Sequence, residues 1–440
     1  MNAQVTSRYA AAYPAIAENL MGQQLPWLQV QRQTALAKFA STGFPSVREE
    51  EWRYTNVSAL EKKAYQPLAQ AVAPEDIDAL LASQRLPDVW SVVLINGQFS
   101  AAHSVLEGLP GGVIVSRLAD ALAQHPDWVQ AYLTQAVSID EHNFVAFNTA
   151  WFSDGVVIHI PAKLALSQAL QIVHLVTVPE GMATTRNLIV LDSQAEATVI
   201  ETFAGADCAY VTNAITEITL RENSALTHVK LQAEAQQAYH FGGLYVKQAA
   251  HARFTQHNFA FGGLVARTDV HTDLAQAAEC ELNGLYSGIG RQHVDNHTRI
   301  QHLQPFAISR ERYKGILDGR SRGVFQGRVV VAEHAQKTDS QMHNRNLLLS
   351  NDAEADTKPQ LEIYADDVKC VHGVTVGQLE EKSIFYLQSR GVDVESARNM
   401  LTFAFANEMV AKISLPSLHA LVLGLLLQRF PQSGVEKDWL

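Results

Sequence analysis

The chain has 440 residues, 47% of them apolar and 18% charged, with a net charge of −11 and an isoelectric point near 5.8. That length can bury a sizeable core and suggests two or three domains, while the lack of long polar or single-sign tracts excludes extended disorder. The negative balance argues against nucleic acid or an anionic membrane surface as a partner.

The start, Met1-Asn2-Ala3-Gln4-Val5-Thr6-Ser7-Arg8, has no apolar stretch behind a basic region, so no secretory signal is read and a cytoplasmic location is expected. Residues 1 to about 90 carry helical periodicity, with stretches such as 35–40 and 77–81. Between them, Gly43-Phe44-Pro45 leads into Arg48-Glu49-Glu50-Glu51-Trp52-Arg53-Tyr54, a charged turn with two large aromatics that reads as a packing anchor. From Val89 to Gly97 the pattern changes to strand, and residues 115 to 135 look helical again. Residues 1–150 are thus expected to be mainly helical with a few strands.

A long β region opens near Asp154-Gly155-Val156 and runs for about two hundred residues with period-2 alternation. Phe-Gly-Gly-Leu occurs at 241–244 and again at 261–264, and Leu282-Asn283-Gly284-Leu285 follows at a similar step, suggesting rungs of about 20 residues. A parallel β-helix spanning 151–376 is therefore expected, with stacked rungs burying a continuous core, ahead of a two-sheet sandwich that would be unusually large.

After Gly377 the period returns to helical over 377–440. One helix is expected from Leu379 to Gln388 with Gly391 at its left-handed end, a second from Val394 to about Ile413 capped by Asp393, and a third from Pro416 to near Phe430. The apolar run 421–427 is far shorter than the roughly 20 residues a membrane span needs and reads as a buried helix. This tail reads both as a cap over the open end of the solenoid and as a docking surface for a partner subunit.

Chemistry concentrates in Asp366-Asp367-Val368-Lys369-Cys370-Val371-His372-Gly373. In a strand, Cys370 and His372 point to the same side and present sulfur and nitrogen to one metal, iron or a similarly soft ion. Two ligands do not complete a site, so the rest come from elsewhere in the chain, a second chain or inorganic sulfide. The competing reading is core, since Val368, Val374 and Val376 share that face. Asp366 and Asp367 are expected to disfavour the thiolate until a cation arrives. Three widely spaced cysteines, Cys208, Cys280 and Cys370, fit a reducing compartment without disulfides. His293, His297 and His302 near Asp295 read as a solvated face, and Arg320, Arg322 and Arg328 with Asp318 as rung corners ahead of an anion site. No H-E-x-x-H or phosphate-binding G-x-x-x-x-G-K-[ST] loop occurs, so catalysis is poorly supported and no nucleotide is expected on this chain.

Several segments carry a resemblance: Glu51-Trp52-Arg53-Tyr54-Thr55, residues 144–150, Ala335 to Asp339, Asn346 to Ser350, Pro359 to Cys370, and Phe385 to Gly391. In their order and joint presence the chain resembles the SufB/SufD family of the SufBCD iron-sulfur cluster assembly scaffold, and Cys370-Val371-His372-Gly373 looks like the SufD branch. The resemblance implies a mainly β fold, a right-handed parallel β-helix flanked by N-terminal and C-terminal helical regions. It also implies a non-catalytic scaffold that pairs with SufB through the β-helix and binds the SufC ATPase through the C-terminal helices. A transient cluster or iron would be shared with SufB, His372 being the ligand candidate with Cys370 beside it. The family's usual residue between them is serine, and here it is Val371. A homodimer of the isolated chain is plausible on this reading. A β-helical carbohydrate-active enzyme and a purely structural solenoid are the alternatives.

Overall fold

The computed structural model describes residues 3–63, 65–68 and 77–430. Ten α-helices, two short 3-10 helices and twenty strands are assigned among them. The N-terminal part contains α1 (Ala3–Ala17), α2 (Pro26–Thr42), α3 (Ser58–Lys62), β1 (Gln66–Pro67), α4 (Ile77–Gln84), β2 (Trp90–Ile95), β3 (Gln98–Phe99), β4 (Ile114–Arg117), α5 (Leu118–Gln124), α6 (Pro126–Tyr132) and α7 (Asn143–Trp151). A parallel β-solenoid of about 8 turns follows. Its first sheet stacks β5 (Val156–Ile160), β7 (Gly181–Leu191), β9 (Val211–Leu220), β11 (Tyr239–Gln248), β13 (Val265–Leu274), β15 (His293–His302), β17 (Arg322–Val331) and β19 (Glu354–Ile363). The second stacks β6 (Leu170–Val176), β8 (Glu196–Gly205), β10 (Ala225–Gln232), β12 (Arg253–Ala260), β14 (Glu279–Gly288), β16 (Ile308–Leu317), β18 (Asp339–Leu348) and β20 (Lys369–Gly377). β2 extends the second sheet in parallel, and β4 closes the first by antiparallel pairing with β5.

Each turn contributes one strand to each sheet, and the rungs are longer than the 20 residues expected from Phe-Gly-Gly-Leu. Phe241 on β11 pairs with Arg267 and Asn213, whereas Phe261 lies just beyond β12 in the other sheet, so the two tetrapeptides are not equivalent positions. The real repeat lies at the corner from the first sheet to the second. There Lys163, Gln194, Asn223, His251, Ala277, Phe306 and Lys337 all have positive φ, between 53° and 67°, recurring every 26 to 31 residues. In each case the corner amide donates to a carbonyl of the next corner, as from Asn223 to Ala250 and from Ala277 to Pro305. Stacked corners satisfy backbone groups that a lone turn would leave to water.

Alternation then sorts the side chains. Ile172, Val199, Leu226, Phe254 and Leu282 from one sheet meet Ile189, Ile218, Leu244, Val270 and Val329 from the other inside the lumen. The outward face of the first sheet is covered by the N-terminal part. Phe144 of α7 stacks on Phe241 at 3.9 Å, and Phe39, Phe147 and Trp151 complete an aromatic layer. All nine residues of α7 are buried. Its last carbonyls are met by buried Arg32, whose Nη1 donates to Ala150 at 2.8 Å and Nη2 to Phe152 at 3.1 Å. Gly155 starts the solenoid where a Cβ would stand 1.7 Å from the Arg186 carbonyl oxygen, so only glycine fits.

The C-terminal helices are α8 (Glu381–Gln388), α9 (Val394–Val410) and α10 (Pro416–Arg429). The Asp393 side chain accepts from the Ser396 amide at 3.0 Å, and Gly391 takes φ 89°, as the sequence predicts. α9 and α10 do not cap the end of the solenoid. Phe403, Ala406, Met409, Val422 and Leu426 pack along the outward face of the second sheet, on Val229, Leu231, Phe259, Leu285 and Ile316. The last rung therefore keeps its edges. No helix among the described residues is long and apolar enough to cross a membrane.

Candidate functional site

Cys370 and His372 lie on β20, which pairs with β18 on one side and, among the described residues, has no strand on the other. Register places Cys370 over Ser340 and His372 over Met342, both buried lumen residues, so the two side chains share the lumen face of the final rung. Cys370 is half-buried against the end of the core, His372 is exposed, and Val371 between them turns outward, 55% exposed. The core reading thus holds for the sulfur's inner side only, since no further rung covers either residue. Gly373 lets the His343 ring of β18 approach, its Nδ1 standing 3.1 Å from where a Cβ would be.

Burial pushes the Cys370 thiol up, the Ser340 backbone pulls it down and the Asp339 carboxylate raises it again. The nearby charge that acts is thus Asp339 on the adjacent strand; Asp367 is tied to Lys337. Beneath Cys370 its register column continues through Ser340 and Ser309 to Cys280. Ser309 Oγ donates to Ser340 Oγ at 2.8 Å and contacts His302 Nε2 at 2.9 Å. His302 is therefore a lumen residue, held to about 4 by burial, and not part of a solvated face. A thiol and an imidazole on one exposed face offer two soft donors, and among the described residues no three His, Cys, Asp or Glu groups converge as a metal site.

The other two histidines of that patch are also mostly buried. His293, Asp295 and His297 alternate onto the outward face of β15, which water would reach were it not roofed by residues 51–55. His297 Nε2 lies 3.0 Å from Asp295 Oδ1, and its Nδ1 lies 3.4 Å from Glu51 Oε2. At the centre Arg267 donates to Asp269 through Nε (3.1 Å) and Nη2 (2.9 Å), and through Nη1 to the Glu51 carbonyl (2.6 Å), while stacking 3.7 Å from the Trp52 ring. The anchor expected at Trp52 is present, but the charged cluster it covers, with His142 and His271, was missed. Its signal is the alternation Arg267-x-Asp269-x-His271 beside His293-x-Asp295-x-His297, which marks one face of two strands without saying what lies over it. Of the basic segment, Arg320 is at a corner and pairs with Asp352, whereas Arg322 and Arg328 are strand residues paired with Asp356 and Glu362.

Comparison with known proteins bears on this geometry. Residues 3–172 match the model of the SufBD protein N-terminal region, and residues 174–405 match that of the SufBD core domain of SUF system FeS cluster assembly. The chain is 33% identical over 91% of its length to the iron-sulfur cluster assembly protein SufD of Escherichia coli (strain K12), of which it covers 93%. It is 32% identical to an iron-sulfur cluster assembly SufBD family protein of a Synechocystis species, covering 88% of each. Protein ABCI7, chloroplastic, of Arabidopsis thaliana is 29% identical over 88% of this chain and 82% of its own. With both halves of the chain matched in order, and a solenoid bearing Cys370 and His372 on its uncovered final rung, this chain belongs to the SufBD family.

Proposed function

We propose that this chain is a non-catalytic scaffold subunit of iron-sulfur cluster assembly, pairing with SufB through the final rung of the solenoid and binding the SufC ATPase through its C-terminal helices. The observation that carries the reading is an unpaired last strand presenting Cys370 and His372 on its lumen face, together with the family. An uncovered rung has free backbone groups on β19 and β20 and exposed Ile363, Tyr364, Val371 and Val376, the features a second solenoid satisfies by continuing the stack. A second copy of this chain can use the same edge, which gives the isolated protein a homodimer.

Iron or a nascent cluster is cargo here. The Cys370 thiolate and the His372 imidazole supply two donors, and the partner or sulfide supplies the others. Thiolate is the metal-binding form, so loading releases a proton and weakens as pH falls. For SufC, the exposed face of α8 offers Phe385 (72% exposed) and Tyr386, with Val394 opening α9.

Anaerobic iron and sulfide reconstitution of the complex with SufB and SufC tests the reading. His372→Ala is expected to cut cluster yield several-fold while size-exclusion chromatography shows the complex intact. An unchanged yield discards the ligand role, and failure to recover SufB and SufC with the chain discards the scaffold.

A further inference from the structure

The lumen carries polar side chains over several rungs: Asn187, Thr216 and His228 gather on Glu201, and Lys230 donates to Thr268, whereas between β12 and β16 most of the polar groups find no such partner. Alternation points Gln256 and Asn258 of β12, Asn296 and Thr298 of β15, and Glu311 and Tyr313 of β16 into it, and all six are at least 97% buried. One hydrogen bond crosses the space, from Asn258 Nδ2 to Asn296 Oδ1 at 2.9 Å. The other polar atoms have no partner in the protein: both ends of the Gln256 amide, Asn258 Oδ1, Asn296 Nδ2, Thr298 Oγ1, the Tyr313 hydroxyl and both Glu311 oxygens. Thr298 and Asn258 act on Glu311 and Tyr313 as near polar neighbours without a well-formed hydrogen bond.

Buried polar groups left unmatched are costly, and native proteins meet them with ordered water. The composition of this set selects the ligand. It mixes donors (Asn296 Nδ2, Gln256 Nε2) with acceptors, so a metal cation would satisfy only the oxygens and an anion only the nitrogens. Water serves both. No cationic side chain acts on the Glu311 carboxyl; the titratable groups facing it, Cys280 of β14 and Tyr313, are themselves kept neutral by burial.

We propose that the lumen between β12 and β16 is a closed hydration site, a cluster of ordered water molecules bound by these six side chains, the Glu311 carboxyl among them. Met342 closes it toward the final rung. That residue lies in register between Glu311 and His372, and its sulfur fills the space above Gly327, 2.6 Å from where a Cβ would stand. Burial pushes the Glu311 carboxyl up to about 7, so it keeps its proton under mildly acidic conditions as a neutral acid. This inference rests on the lumen alone and stands whether or not Cys370 and His372 bind iron.

The test is a crystal structure of the full chain, fine enough to order water and soaked in rubidium, with infrared spectra of the wild type and Glu311→Gln. Several water peaks bridging the six side chains, no anomalous rubidium peak, and a protonated-carboxyl band at pH 6 that Glu311→Gln removes are expected. A dry lumen, a rubidium ion at Glu311, or no such band in the wild type overturns the proposal. A second readout is thermal. Glu311 ionises near 4.5 in the unfolded chain and near 7 in the folded one, so the melting temperature of the wild type should fall behind that of Glu311→Gln between those pH values. A gap that stays constant from pH 5 to 8 also overturns the neutral acid. If the variant does not fold, the wild-type band and density decide alone.

Discussion

Arg267 shows how much one side chain carries. It is buried between Asp269, Asp295, the Glu51 carbonyl and the Trp52 ring, so it joins the N-terminal segment to two neighbouring strands of the solenoid. Removing one member of a buried charge network leaves the others uncompensated, which costs about 3–5 kcal/mol. Arg267→Ala is expected to lose that much in urea unfolding, and Arg267→Lys to recover less than half, because an ammonium neither forks onto Asp269 nor stacks on indole. Equal stability of the lysine variant and the wild type would show that only the charge matters. Trp52 itself was legible as an anchor from aromatic size and a proline-marked entry. The histidines beneath it were not, because period 2 tells which residues share a face and nothing about a roof supplied by a segment more than 200 residues away. Cys370 and His372 were legible as a pair for the reason that their relation is local: two positions apart on a strand fixes a common side.

At the scale of the elements, the corners govern the solenoid. Seven non-glycine residues adopt left-handed φ at equivalent corners, where a Cβ is strained by about 1–2 kcal/mol. Ala277, at φ 53°, has the smallest side chain of the seven, so replacing it by glycine removes strain with little loss of contact. Ala277→Gly should raise stability by about 0.5 kcal/mol in thermal or denaturant unfolding, and a loss of stability would show that the stacked corner carries no strain. These corners also explain why the repeat length was misread. The position that recurs is defined by φ and is occupied by Lys, Gln, Asn, His, Ala, Phe and Lys, types with nothing in common, whereas one of the eye-catching glycine pairs lies within β11 and the other in the connection after β12. The strands were legible because period 2 persists for two hundred residues. The helical tail was legible too, down to the Asp393 cap, since caps and amphipathic spacing are local signals. Its place along the flank was not, because the face that α9 and α10 cover is built from residues of five separate rungs.

The molecule as a whole stores neutral histidines. His142, His174, His257, His271 and His302 are all lowered to about 4, desolvation being the largest cause in each, and they are spread from α7 to the end of β15. In the unfolded chain each takes up a proton below about 6.5 that the folded state refuses until about 4, so stability falls with pH across that window. At pH 5.5 the loss is roughly 1 kcal/mol per ring. Glu311 and His297 act in the opposite sense, since their raised values favour the folded state on acidification, but they are outnumbered. The melting temperature is expected to drop clearly between pH 7.5 and 5.5, and one that holds steady would mean that the rings gain protons without unfolding.

Because α9 and α10 lie along the flank, no element among the described residues lies over the last rung. The free tip is a template with the same spacing as the strand beneath it, while β3 and β4 close the other end by antiparallel pairing, so a stray copy that docks on the tip ends the stack and the failure mode is two copies locked tip to tip. A concentrated preparation of the chain alone should therefore shift from one copy to two and grow no further, because an unlidded coil with a sealed base has a single place to add on.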